Sequence, residues 1–359
     1  MPNDELMPIG AFAQRSGLTS SALRFYADSG LLRPVEVDPV SGYRYYSADQ
    51  VVQATVLRQL RELAIPLTAV EAVLGSGADE ASRLLDEHVA KVVGNAAAAQ
   101  QKAAVIKSAL GNVPGLPIAA VKGPVLADAV EQVLTATAYE HGIPALAGLR
   151  IEASYEAVTL TATDRYRLST RTLVPAEAPG QTWAGTVNGN ELRVAVAEIR
   201  RSPLVRLEAV PHGLWLRVAG REDRHCRLLP EEFPDYQLML APLGDVTTRV
   251  TVPKELLLRA LEDQPGERIT LHVSDHGMHV RSADDETDEN SDIWLPATVT
   301  GQALQIWFEV TTFYPAVSTA IGPDVLLDLR GHDLPVTIRS ADRGDLTTLA
   351  MPIKSDHSA

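Results

Sequence analysis

The sequence predicts a multidomain protein: an all-α winged helix-turn-helix with a long helix behind it, then two α+β domains. Three observations carry this reading. Ile9 to Tyr46 packs two short helical patterns and a Gly-marked hairpin into one short stretch. Residues 78–110 keep near-helical apolar spacing with no proline. A strand-and-helix plan that runs from about residue 124 starts again at Thr247.

In the first pattern Ile9, Phe12 and Ala13 recur at helical spacing, and Ser16-Gly17 supplies a stop because glycine accepts the left-handed dihedrals of a C-cap. Thr19 or Ser20 can cap the second helix, whose Leu23 and Tyr26 share a face and which ends at Ser29-Gly30. Two helices joined by a tight Gly-containing turn form the helix-turn-helix unit, whose second helix enters a major groove. Arg24 then sits on the outward side, although any small helical hairpin with a solvated arginine has the same pattern. Val35 to Val40, a Ser41-Gly42 turn and Tyr43-Arg44-Tyr45-Tyr46 read as a two-stranded wing. Ser47 and Asp49 offer caps to a third helix carrying Val51, Val52, Leu57, Leu60 and Leu63. Pro66 breaks it, and Thr68 starts a fourth through Val70, Val73 and Leu74.

The order IGxxAxxxG, TxxxLRxYxxxGLL, GYRxY and LxxLRxL over residues 8–75 resembles the winged-helix domain of the MerR family of transcription regulators. The resemblance implies double-stranded promoter DNA as partner, with Thr19, Ser20, Arg24, Tyr26, Tyr43, Arg44, Tyr45 and Arg58 as the DNA-facing set. A net charge of −14 sits badly with that until it is divided. Residues 1–112 carry 10 Lys+Arg against 12 Asp+Glu, the remainder 22 against 34. Affinity for phosphates must therefore come from a local basic face, with Arg15, Arg33 and Arg61 as further candidates.

Residues 78–110 are too long for a helix lying on one small domain, and Ala96, Ala99 and Ala103 let a partner helix approach closely. In the MerR resemblance this is the dimerisation helix, paired with its copy in a homodimer; a helix packed on its own chain is the other reading. The domains expected are 1–76 for DNA binding, 77–112 for dimerisation, a Pro- and Gly-rich linker at 113–123, and two further domains at 124–245 and 246–359.

VTVPKELLLRALED in the second of these echoes AAVKGPVLADAVEQ in the first, and QIWFEVTTFYPAVSTAI echoes GTVNGNELRVAVAEI, which marks an internal repeat. PALAGLRIEA (144–153), ATDRYRL (162–168), FPDY (233–236) and LAMPIK (349–354) resemble the last two domains of the bacterial DNA sliding clamp, DNA polymerase III subunit beta. Two α+β sliding-clamp-like domains are thus expected. Carried over by motif, the clamp's pocket for short peptide motifs comprises Leu146, Thr163, Arg165, Tyr166, Arg167, Leu168, Pro234, Met239, Leu349 and Met351. Leucine, methionine and proline suit an apolar cleft, arginine and threonine a polar rim; the same leucines and Met351 also suit a plain domain core. Arg165 departs from the resemblance, since clamps commonly have glycine there. The helices PVLADAVEQVLTATAY and EVTTFYPAVSTAIG carry no Lys or Arg, and Asp128, Glu131 and Glu309 face outward, which disfavours a phosphate-lined channel.

No Gly-rich phosphate loop, HExxH or nucleophile elbow is present, so no enzyme and no cofactor is expected. One cysteine, Cys226, excludes an internal disulfide and a multi-cysteine metal pocket. The nine histidines, His88, His141, His212, His225, His272, His276, His279, His332 and His357, are scattered, and the acidic run Asp284 to Asn290 lacks a calcium-loop pattern. No signal segment or run of about twenty apolar residues is present, which points to the cytoplasm without a membrane. The expected protein is a regulator whose clamp-like part binds a cyclic peptide antibiotic aimed at the clamp or a clamp-binding peptide. A replication or repair accessory that recruits clamp-binding proteins, and a drug-sequestering resistance protein, are the alternatives.

Overall fold

The computed structural model describes residues 6–111, 114–140, 142–177, 180–283, 292–341 and 344–354. The acidic run Asp284 to Asn290, His141 and His357 lie outside the described residues. The chain divides into two compact units, Met1–Ala103 and Ala104–Ala359.

The first unit runs β1 (Met7–Pro8), α1 (Ile9–Ser16), α2 (Ser20–Asp28), β2 (Glu36–Val37), β3 (Arg44–Tyr46), α3 (Gln50–Glu62), α4 (Leu67–Gly75) and into α5 (Ala78–Gly111). Gly17 ends α1 at φ 71°, its N–H donating to Ala13 O. Between the two candidate caps the structure selects Thr19, whose Oγ1 accepts the Ala22 N–H at 3.1 Å. Thr19→Ala is therefore expected to lower the stability of this unit by about 1 kcal/mol, read as a shift in its urea midpoint. Phe12 and Tyr46, both fully buried, stack at 4.6 Å between ring centroids and tie α1 to the wing, with Leu23, Leu32, Leu57 and Leu60 around them.

Three expectations are corrected here. The two-residue strand β1 joins the wing, pairing Met7 with Tyr46 and making a three-stranded sheet ordered β1-β3-β2. Neither Ser47 nor Asp49 caps α3 with its side chain; Gln50 Oε1 instead accepts the Ser47 N–H at 3.1 Å. Val52 and Leu63 are exposed, because the face of α3 that meets the core carries Ala54, Leu57 and Leu60. The long helix α5 has 34 residues, close to the expected bounds. Leu84 and Leu85 pack on the first unit's core, and Arg83 pairs with Glu80 and Glu87 along one face. Val89, Val92, Val93, Val105, Ile106 and Leu110 are exposed along it.

The second unit begins with β4 (Leu116–Val121), α6 (Gly123–Leu134), a 3-10 turn (Pro144–Ala147), β5 (Gly148–Ala153), β6 (Val158–Thr163), β7 (Arg167–Leu173) and β8 (Trp183–Asn188). There follow α7 (Gly189–Arg200), β9 (Val205–Val210), β10 (Gly213–Val218), β11 (Arg224–Arg227) and α8 (Tyr236–Leu240). The second copy opens with β12 (Thr248–Pro253), α9 (Lys254–Glu262), β13 (Arg268–Ser274), β14 (Gly277–Ser282), β15 (Ile293–Leu295), β16 (Thr298–Gly301) and β17 (Leu304–Glu309). It ends with α10 (Val310–Ser318), β18 (Asp324–Leu329), β19 (Val336–Ser340) and β20 (Leu346–Ala350). The repeat holds in the topology: β4 pairs β9 as β12 pairs β18, and β8 leads into α7 as β17 leads into α10.

Each copy has its own apolar core. The two share one nine-stranded sheet, β16-β12-β18-β19-β20-β7-β6-β5-β8, closed where β20 meets β7 antiparallel and Leu349 opposes Leu168. The expected linker is mostly not one. Residues 112–113 lie outside the described residues, but Leu116–Val121 form β4 and α6 already starts at Gly123. Pro117 is tolerated because β4 is a sheet edge with a bulge between Pro117 and Ala119. Gly123 is needed there, since a Cβ would sit 2.0 Å from Ser202 O and 2.2 Å from Ile199 O.

Asp128 and Glu131 on α6 both bind Arg200 of α7, so that cation is already neutralised. Cys226 is buried, and burial pushes its thiol up to about 12. Among the described residues no helix is long and apolar enough to cross a membrane.

Candidate functional site

Two surfaces gather the expected residues. On the first unit, Arg24 is exposed on α2 and, among the described residues, has no acidic partner. Arg44 reaches back from the wing: its Nη1 donates to Arg24 O at 2.9 Å and its Nη2 meets Asp28 Oδ1 at 2.7 Å. That contact fixes the wing against the end of α2. Tyr43 is exposed and packs on Tyr45, ring centroids 5.6 Å apart. Arg58 runs beneath the Gly17 turn and meets Glu62 Oε1 at 2.5 Å. Thr19 spends its hydroxyl oxygen on the cap, and Ser20 is the first residue of α2. Tyr26 is corrected: its ring is in the core, because it shares the inward face of α2 with Leu23. The exposed aromatic of that helix is Phe25, which sequence reasoning passed over.

The second surface is a shallow cleft, open to solvent and enclosing only about 30 Å³, at the junction of β7 and β20. Thr163, Arg165, Tyr166, Arg167, Leu168, Met239, Leu349 and Met351 line it, together with Leu240 and Pro335. Leu146 and Pro234 are corrected. Leu146 is buried in the 3-10 turn, its carbonyl taken by the Ala138 N–H, and Pro234 lies in the turn that leads into α8; neither lines the cleft. Leu240 and Pro335 carried no motif, although Leu240 stands one residue from Met239. Tyr166, Leu238, Met239 and Leu334, on or beside the lining, are exposed apolar side chains.

The polar part of the cleft is a turn with its bonds closed internally. Thr163 Oγ1 donates to Arg167 O at 2.7 Å and accepts the Arg165 N–H. Asp164 Oδ1 accepts the N–H groups of Tyr166 and Arg167, while its Oδ2 accepts Nε and Nη2 of Arg167 at 2.9 and 2.6 Å. This ion pair is nearly buried, with side chains 12% and 11% exposed. At the tip Arg165 has φ 79°. A non-glycine residue in that region costs roughly 1–2 kcal/mol, which gives a physical reason for the glycine that the clamp pattern carries there.

The fold and the two surfaces define a fusion: the chain carries a MerR-type helix-turn-helix domain at its N-terminus and a sliding-clamp-type region after it. Residues 7–76 match the family described as MerR HTH family regulatory protein, and residues 120–235 match DNA polymerase III beta subunit, central domain. The chain is 27% identical over 205 residues to the beta sliding clamp homolog GriR of Streptomyces muensis, covering 54% of each protein. It is 42% identical over 62 residues to the HTH-type transcriptional regulator CueR of Yersinia pestis, which is 17% of this chain and 43% of CueR. The chain thus spans about half or less of the curated relatives it matches. A sliding clamp from Pseudomonas aeruginosa, solved bound to griselimycin, superimposes with a TM-score of 0.60 at 17% identity, covering 66% of this chain and 65% of that one. At that identity the likeness concerns the fold alone.

Proposed function

We propose that this protein is a ligand-responsive transcription regulator: a homodimer joined through residues 78–110 reads double-stranded promoter DNA, and the cleft between β7 and β20 senses the ligand. The observation that carries the reading is that cleft, an apolar groove with exposed Tyr166 and Met239 on a clamp-type fold joined in one chain to a helix-turn-helix domain. Its ligand is a peptide that clamps bind, either a cyclic peptide such as griselimycin or the clamp-binding segment of a partner protein. The exposed apolar residues along α5 supply the dimer contact, and dimerisation places two recognition helices on a near-palindromic site. The protein acts without catalysis, cofactor or membrane, in the cytoplasm. The cations of α7 are engaged, Arg200 by Asp128 and Glu131 and Arg193 by Leu134 O and Thr137. That favours a sensor over a clamp that encircles DNA.

The test is selection of bound sites from random duplex DNA by the full chain, followed by footprinting with and without griselimycin or a clamp-binding peptide. A near-palindromic site whose protection pattern changes with ligand supports the regulator. Failure to enrich any site favours an accessory or drug-sequestering role. On the selected site, Arg24→Ala is expected to weaken binding about tenfold or more, measured by fluorescence anisotropy at fixed salt.

A further inference from the structure

The charged groups of the cleft differ in one respect. Arg167 is committed to Asp164, and among the described residues no acidic side chain lines the cleft. Arg165 is half-exposed at the mouth, where Nη1 meets Glu140 Oε1 at 3.2 Å with both side chains about half in solvent. Glu140 is the only partner of that guanidinium among the described residues. An exposed ion pair of this kind is weak and easily exchanged, while a guanidinium can engage a carboxylate through two donors at once. Its backbone holds a conformation that disfavours side chains, so this arginine stands at the tip of the turn despite the local geometry.

We propose that Arg165 is the specificity-determining residue of the cleft, and that Glu140 is a stand-in for a ligand carboxylate. The ligand class is a peptide whose apolar side chains fill the groove formed by Leu168, Leu349, Met351 and Met239 and whose carboxylate replaces Glu140 on Arg165. This deepens, and rests on, the reading of the cleft as a peptide site.

The experiment titrates the full chain with one capped clamp-binding peptide made in two versions, with aspartate or asparagine beside its apolar residues. The wild-type chain is expected to bind the aspartate version about fivefold more tightly at low salt, with the gap narrowing at high salt. Glu140→Gln removes the competitor and widens the gap, Arg165→Gly closes it, and Arg165→Lys retains part of it. Equal affinity for the two versions, or a gap that persists in Arg165→Gly, overturns the role of Arg165 and leaves the cleft standing. Binding of neither version, or affinities indifferent to Met351→Asp, overturns the cleft and this inference with it.

Discussion

Met351→Asp is expected to weaken ligand binding about 100-fold, or roughly 3 kcal/mol, while binding to the selected DNA site is unchanged. Met351 is half-buried in the cleft, and its N–H donates to Tyr166 O at 2.8 Å, a backbone bond that a change of side chain leaves available. A carboxylate there must be desolvated against Leu168 and Leu349 when a ligand enters. Leu168 is a poorer position for the same charge. It is 4% exposed inside the nine-stranded sheet, opposite Leu349, so Leu168→Asp would endanger the sheet itself. Calorimetric affinities for griselimycin and a clamp-binding peptide, beside anisotropy on DNA, check the prediction; ligand affinity within threefold of wild type would mean that the cleft is not the site.

Phe12→Ala is the change expected to cost most stability, about 4 kcal/mol. The ring is fully buried and stacked on Tyr46, whose hydroxyl donates to Leu23 O at 3.4 Å, so one deletion opens a hole shared by α1, α2 and the wing. A unit of about a hundred residues has only some 5–15 kcal/mol to lose. DNA binding should fall away at 37 °C while ligand binding by the second unit persists. Scanning calorimetry with both binding assays reads this out; a loss under about 1 kcal/mol would contradict the packing described for this core.

Much of this arrangement was legible because its signals are local. Ser16-Gly17, Thr19 and Ser29-Gly30 mark helix ends by caps and turns, and α5 follows from one uninterrupted period. The strand-helix echo revealed the repeat. Seven of the residues that line the cleft stand in two short motifs, ATDRYRL and LAMPIK, which run into β7 and out of β20, strands that the sheet brings edge to edge; Met239 lies three residues beyond FPDY. Other features depend on pairing between distant residues and left no local mark. Ser169 and Thr348 share a hydrogen bond across 179 positions, and nothing near either predicts that the two copies form one sheet. The proline of β4 and the glycines that flank it have the composition of a linker, whereas an edge strand tolerates both. The family resemblance puts Tyr26 in the DNA-facing set, yet the helical period that sets it beside Leu23 assigns its ring to the core. Leu146 belongs to the clamp motif PALAGLRIEA, but its side chain is buried in the 3-10 turn.

The measurement that tests the account most directly is calorimetric titration of the full chain with griselimycin and with a clamp-binding peptide, each repeated on Met351→Asp. Binding of at least one at micromolar affinity or tighter, about −8 kcal/mol, and lost in the variant, is the predicted result. No heat from either ligand would contradict it, and the clamp likeness would then survive only as a fold.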